Sequence, residues 1–180
     1  TVAACQTQAQ VNDAYAAWLA TATASGGCDR GVVTNNQPTA PDKCGGFRDV
    51  TFSVTSSCEG VKTCSARFTV TNATAVTLNC AATTTVAACQ TQAQVNAAYA
   101  AWLATATASG GCDRGVVTNN QPTAPDKCGG FRDVTFTVTS SCEAPKTCSA
   151  RFTVTNAPAV TLNCAATTTV AACQTQPQGN

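Results

Sequence analysis

Residues 50–54 read Val-Thr-Phe-Ser-Val, and residues 66–71 read Ala-Arg-Phe-Thr-Val-Thr. In both stretches an apolar side chain alternates with a polar one, which is the pattern of a strand with one buried face. Residues 76–80, Val-Thr-Leu-Asn-Cys, continue the pattern. The three stretches predict three strands of a small antiparallel sandwich, with weaker strands around Val32 and Val86.

A helix is predicted ahead of these strands, between residues 6 and 23. Its apolar residues recur at i, i+4, i+7 and i+8, the period of an amphipathic helix: Val11, Tyr15, Trp18 and Leu19. The Ser-Gly-Gly at residues 25–27 predicts where the helix stops. The alternative for Tyr15 and Trp18 is an exposed carbohydrate-binding platform, but their helical spacing favours burial against the sheet.

The whole pattern repeats. The octapeptide Thr-Val-Ala-Ala-Cys-Gln-Thr-Gln begins at Thr1, Thr85 and Thr169, so the period is 84 residues, the difference between 85 and 1. We call residues 1–84 the first copy and residues 85–168 the second; residues 169–180 begin a third. The predicted domains follow these copies, with limits that can shift to about residues 80 and 164. We interpret the chain as a window on a longer array.

Composition indicates the class of protein. The chain has 180 residues, with ten Lys and Arg against nine Asp and Glu, so no basic surface for nucleic acid is expected. No apolar stretch is long enough to insert into a membrane. Thirteen cysteines approach the density of secreted disulfide scaffolds, which predicts an oxidising, extracellular location.

Catalytic and metal chemistry are not expected. The chain has no histidine, so no Ser or Cys has the usual general base, and we predict no enzyme, no catalytic residue and no cofactor. Zinc at Cys58 and Cys64 would need a closer pair with a second pair or histidines. Calcium binding by the polar residues in or beside the long loop is less favoured than a role in local turns, so no metal is predicted either. These residues are Asp29, Asn35, Asn36, Asp42 and Asp49.

Five motifs in order carry a resemblance to a known family. They are Cys-Gln-Thr-Gln-Ala-Gln-Val-Asn at residues 5–12, Ala-Ala-Trp-Leu at 16–19, Gly-Gly-Cys at 26–28, Cys-Gly-Gly at 44–46 and Val-Thr-Phe-Ser-Val-Thr-Ser-Ser-Cys at 50–58. Together they resemble the HYR-like (hyaline-repeat-like) repeats of very large secreted proteins of Bacteroidota. The resemblance implies immunoglobulin-like sandwiches strung into bacterial surface adhesins or fibres, and it brings no catalytic residues.

The predicted fold is therefore mainly β, with tandem immunoglobulin-like antiparallel β-sandwich domains, each with one short amphipathic helix and disulfide staples. The predicted function is a non-catalytic structural repeat unit of an extracellular fibre, filament or adhesin stalk. Its partners would be adjacent repeats or subunits of the same fibre. The alternative is a repeat that itself binds a carbohydrate or a protein receptor.

Proximity along the chain predicts two disulfides within each copy. One pair brackets the Pro- and Asn-rich loop, and the other brackets a turn between two strands. The predicted pairs are Cys28 with Cys44, Cys58 with Cys64, Cys112 with Cys128 and Cys142 with Cys148.

The remaining cysteines predict a disulfide-clamped junction between copies. Cys80 with Cys89, and Cys164 with Cys173, would each close the same octapeptide where one copy passes to the next. Cys5 would then be free or bonded to an upstream unit. A bond from Cys5 to Cys80 inside the first copy remains the alternative.

Overall fold

A computed structural model of the chain describes residues 1–169. The described chain is mainly β, with several antiparallel pairings and two helices. The helices are α1 (Gln8–Leu19) and α2 (Gln92–Leu103). The strands are β1 (Thr34–Asn35), β2 (Gly46–Val54), β3 (Lys62–Val70), β4 (Thr77–Asn79), β5 (Thr84–Val86), β6 (Thr107–Ser109), β7 (Thr118–Asn119), β8 (Gly130–Ser140) and β9 (Glu143–Val154).

Each helix begins at a reciprocal capping pair. The Thr7 hydroxyl accepts a hydrogen bond from the Gln10 backbone N–H, and the Gln10 side chain accepts one from the Thr7 N–H. Thr91 and Gln94 repeat the arrangement at α2. Two N–H groups that a helix start leaves without partners are thus satisfied, which fixes both helices at the predicted place.

The predicted helix end is wrong by several residues. Helix α1 ends at Leu19, and the Thr21 hydroxyl donates to the Trp18 carbonyl oxygen just beyond it. Gly26 and Gly27, with φ of 75° and 73°, make a later turn. The residues between helix and glycines are rich in threonine, which favours extended backbone, and in the second copy they form β6.

The helix covers one face of the sheet through aromatic rings. In the first copy the Trp18 ring centroid lies 5.7 Å from that of Phe52 and 5.3 Å from that of Phe68, and Tyr15 lies 5.0 Å from Phe68. Such offset and edge-on contacts are the favourable geometry for aromatic pairs. Burial of the helix against the sheet is therefore confirmed. The buried residues of this core are Val11, Tyr15, Val50, Phe52, Phe68 and Val70.

The predicted strands at residues 50–54, 66–71 and 76–80 and around Val86 are confirmed, whereas the weak strand expected around Val32 begins only at Thr34. The two copies share one plan, except that residues 161–163, the counterpart of β4, form no strand. In the first copy β2 pairs with β3 and β1 antiparallel, and Val2 forms a parallel bridge to Val70. In the second copy β8 pairs with β9 and β7 antiparallel, and β5 pairs with β9 parallel. The strand β5 contains Val86, the counterpart of Val2, so the two parallel contacts are equivalent.

The last strand of the first copy belongs to the core of the second. Strand β4 pairs antiparallel with β6, with Leu78 opposite Ala108. Leu78, Cys80 and the buried Ala81 pack with the second core. The other buried residues of the second core are Val95, Tyr99, Trp102, Ala106, Val134, Phe136, Ala150, Phe152 and Val154. Six of them are counterparts of the first core, whereas Trp102 and Ala106 correspond to residues that are only partly buried in the first copy, and Ala150 corresponds to an exposed alanine. Packing therefore passes to the second copy several residues before the first copy ends.

Candidate functional site at the junction of the two copies

Three disulfide bonds connect the two copies. They join Cys5 to Cys112, Cys44 to Cys142 and Cys80 to Cys148, with Cα–Cα distances of 4.7, 5.2 and 5.9 Å. Subtracting the 84-residue period places the second cysteine of each bond at position 28, 58 or 64 of its copy. Every disulfide among residues 1–169 thus runs from position 5, 44 or 80 of one copy to position 28, 58 or 64 of the next.

This pairing corrects the predicted one. Within the described residues the structure forms none of the pairs predicted from proximity, which were Cys28 with Cys44, Cys58 with Cys64, Cys80 with Cys89, Cys112 with Cys128 and Cys142 with Cys148. The alternative bond from Cys5 to Cys80 is not formed either, and Cys5 is bonded downstream, not upstream. The predicted pair of Cys164 with Cys173 lies partly outside the described residues.

The physical reason is that β4, a strand of the first copy, packs with the core of the second copy. Proximity along the chain favours a bond only when both cysteines belong to the same packed unit. Because β4 packs with the second core, Cys80 lies next to Cys148 and is bonded to it. Cys148 is on β9, opposite Phe136 of β8. The other two bonds, Cys5–Cys112 and Cys44–Cys142, also join cysteines of different copies.

Six cysteines of the described chain are free and exposed. They are Cys28, Cys58 and Cys64 in the first copy and Cys89, Cys128 and Cys164 in the second. The first three occupy positions that accept a bond from a preceding copy, and the other three occupy positions that donate one to a following copy. The prediction that these cysteines are also oxidised stays a prediction.

The segment that contains β4 contributes to the core of the second copy, although Leu78 is the only residue of the strand itself that is partly buried. Val76, just before the strand, is 5% exposed, and Trp102 is 6% exposed. The indole Nε1 of Trp102 donates a 2.6 Å hydrogen bond to the Ala82 carbonyl oxygen. A buried indole N–H needs such a partner, so the first copy supplies both an apolar face and a polar contact to the second.

The approach to β4 is fixed by backbone groups. The Val76 N–H donates to Glu143 Oε1 at 2.5 Å, and the Gly111 N–H donates to the Thr74 carbonyl oxygen at 2.9 Å. Gly110 and Gly111 have φ of 73° and 68°, the left-handed region that glycine tolerates best. A Cβ added to Gly110 would collide with the Ala75 carbonyl oxygen, so the linker passes directly over this Gly-Gly turn.

An ion pair also spans the junction. Lys43 Nζ lies 2.9 Å from Asp113 Oδ2 and 2.5 Å from Ser141 Oγ, next to the Cys44–Cys142 bond. Hydrogen bonds from the Ser141 hydroxyl, from the Lys43 ammonium and from the Ser140 hydroxyl hold the pKa of Asp113 well below its ordinary value. Asp113 is therefore ionised at neutral pH and complements the cation of the other copy.

The other residues considered for binding are engaged locally. Asp29 accepts hydrogen bonds from Ser56 and Ser57, Asp42 accepts one from the Cys44 N–H, and Asp49 pairs with Arg67 at 2.6 Å. No group of three or more His, Cys, Asp or Glu side chains suited to a metal ion occurs among residues 1–169.

Tyr15 is likewise committed to the core rather than displayed. Its hydroxyl donates 2.7 Å to the Gln37 carbonyl oxygen, and burial raises its pKa. The junction, which combines disulfide bonds with hydrogen bonds and an ion pair between the copies, is therefore the candidate functional site of the described chain. Its three disulfide bonds indicate an oxidising, extracellular environment. No helix within residues 1–169 is long and apolar enough to span a bilayer.

Comparison with known proteins found no matching protein-family model and no matching curated sequence.

Proposed function

We propose that this chain is a non-catalytic structural repeat unit of an extracellular fibre, filament or adhesin stalk. The observation that carries the proposal is the connection between the two copies. Three disulfide bonds join them, and β4 of the first copy packs with the core of the second. A flexible linker would leave successive domains free to reorient. Three covalent bonds instead hold one copy to the next, which suits a shaft under tension.

The finer features of the proposal rest on the sequence. Each unit is proposed to be an immunoglobulin-like sandwich of the HYR-like kind, secreted by a bacterium and repeated many times at the cell surface. The mainly antiparallel strands and the disulfide bonds support it. We propose a unit boundary near residue 75, a few residues before the limit of about residue 80 expected from the sequence, and the pairing of β4 with β6 supports it.

The test is electron microscopy of the assembled material in its native, oxidised state. A beaded filament with one bead per sequence copy, resistant to denaturant until a thiol reductant is added, is the expected result. Dispersed particles that bind a glycan array or a protein receptor would instead favour the adhesive repeat and overturn the structural role.

A further inference from the structure

The groove that holds β4 in the second copy has an open counterpart in the first. The apolar residues that line this open groove are Ala22, Ala24, Val33, Phe52, Val54 and Cys64, and its other lining residues, which include Lys62, are polar. Residues 23–25 form no strand, whereas their counterparts 107–109 form β6 against β4. Val54 is half-buried although its counterpart Val138 is fully buried. The first copy therefore presents unpaired backbone at residues 23–25 beside a partly apolar groove, which is a surface suited to strand addition.

The chain contains a second segment that fits this groove. Residues 159–164 read Ala-Val-Thr-Leu-Asn-Cys, identical to residues 75–80, which precede and form β4. Val160 is 96% exposed and Leu162 is 82% exposed, whereas their counterpart Val76 is buried and Leu78 is partly buried against the second core. Exposure of both apolar side chains is unfavourable, and the open groove has the shape and chemistry that cover them.

The free cysteines match the same arrangement. Cys64 lines the open groove, and its counterpart Cys148 is bonded to the cysteine that follows β4. Cys164 follows the exposed segment as Cys80 follows β4. The other free cysteines complete two more pairs of the type already bonded, Cys89 with Cys28 and Cys128 with Cys58.

Polar groups at the open groove are also complementary. Glu59 corresponds to Glu143, so it can accept from the Val160 N–H as Glu143 accepts from Val76. Space for the linker exists, because a Cβ added at Gly26 would meet nothing within 4 Å. The one difference in the linker is Pro158 in place of Thr74. The Thr74 contact uses its carbonyl oxygen, which proline retains.

We propose that the open groove of one molecule binds residues 159–164 of another molecule of this chain, as a strand antiparallel to residues 23–25. Three intermolecular disulfides then join Cys164 to Cys64, Cys89 to Cys28 and Cys128 to Cys58. In each bond two thiols lose two protons and two electrons, and a small-molecule disulfide such as oxidised glutathione is reduced to two thiols. This proposal rests on the proposed function, and it identifies the partner at each joint as another molecule of this chain.

The test is oxidation of the full 180-residue chain in a glutathione redox buffer over a range of protein concentrations. A ladder of head-to-tail oligomers on a non-reducing gel is expected, with longer species at higher concentration. Peptide mapping of the ladder should recover the Cys64–Cys164 bond between molecules. Amides of residues 23–25 should also become protected from hydrogen exchange when the ladder forms.

Two matched variants show whether the groove directs the joint. Leu162→Asp should weaken association about 100-fold, because strand addition would bury an unpaired carboxylate. The same charge at the neighbouring Thr161 should leave the ladder intact, because its counterpart Thr77 faces solvent in β4. Leu162 is exposed, so neither change disturbs the fold of the single molecule.

Three outcomes would overturn the joint: a chain that stays monomeric after oxidation, a ladder built on other cysteine pairs, or a ladder insensitive to Leu162→Asp. The proposed function fails separately. If the joint forms through these pairs but native material contains no filament, the structural role is wrong and the joint stands. If filaments form without the joint, the reverse holds.

Discussion

Trp102 donates its indole N–H to the carbonyl oxygen of Ala82, a residue of the other copy, at 2.6 Å. The equivalent Trp18 packs on the same aromatic neighbours, but no such indole bond is found for it among residues 1–169. Two nearly identical copies therefore differ in how completely one tryptophan is covered. Each variant of one copy has a matched control in the other.

Trp102→Ala should cost about 3–5 kcal/mol of stability in the second copy, the range for removal of a large buried aromatic. Trp18→Ala should cost about 1 kcal/mol less in the first copy, because no interface hydrogen bond is lost. Hydrogen exchange of amides in β9 and β3 measures the two copies separately. Equal losses of stability in the two copies would show that the segment containing β4 does not stabilise the second core.

The Cys80–Cys148 bond should contribute strongly to the free energy of unfolding. It closes a chain separation of 68 residues, for which the chain-entropy relation gives about 4 kcal/mol. Cys80→Ser with Cys148→Ser should lower the urea midpoint and expose amides of β4 and β6. Cys89→Ser is the control, since Cys89 is free in the single molecule and its removal should change nothing.

Gly110→Ala should be more destabilising than Gly26→Ala. Both glycines have a positive φ, so both changes cost about 1–2 kcal/mol in backbone strain. Only at Gly110 does the new methyl group collide with the Ala75 carbonyl oxygen and displace the approach to β4. Thermal unfolding of the two variants provides the comparison, and equal shifts would contradict the close passage of the linker.

The ion pair between Lys43 and Asp113 should make the junction sensitive to acid. The folded-state pKa of Asp113 lies below its unfolded value. Its contribution is therefore fully present above about pH 4, the ordinary pKa of an aspartate. It is lost as the pH falls through the lower, folded-state value. The pair is partly exposed, so added salt should weaken it at any pH.

Stability of wild type and Asp113→Asn, measured from pH 7 to pH 2, tests this dependence. The difference between them should be largest at neutral pH and should shrink in acid. Asp29→Asn is the matched control: Asp29 keeps its serine partners, but no lysine of another copy pairs with it in the described chain. If Asp29→Asn shows as large a difference, the effect belongs to the serines and not to the junction.

Elements with a strong period could be predicted from the sequence. The alternation at residues 50–54 and 66–71 identified β2 and β3, and the helical spacing of Val11, Tyr15 and Trp18 identified α1. These patterns report which face of an element is buried. The packing energy of that face is local to one copy, so one copy of sequence is enough to reveal it.

The partners of short elements could not be predicted in this way. Alternation at Val76 and Leu78 correctly indicated a strand, but periodicity does not say which edge receives it. The apolar spacing predicts a helix to about residue 23, which is equivalent to Thr107, whereas residues 107–109 form β6, the strand that pairs with β4. If β4 is assumed to stay within its own copy, proximity along the chain favours disulfide bonds between the cysteines that are closest in sequence. The repeat period itself contains a useful signal, because a disulfide bond between two copies must recur 84 residues later between the next two copies.

The disulfide bonds between the copies determine what a single cut in the backbone does to the protein. A protease that cuts the backbone once between residues 71 and 76 would not part the two copies, because Cys5–Cys112 and Cys44–Cys142 bridge the cut. The severed β4 end would likewise stay anchored by Cys80–Cys148. Separation of the two copies would therefore require reduction of the disulfide bonds as well as cleavage of the backbone.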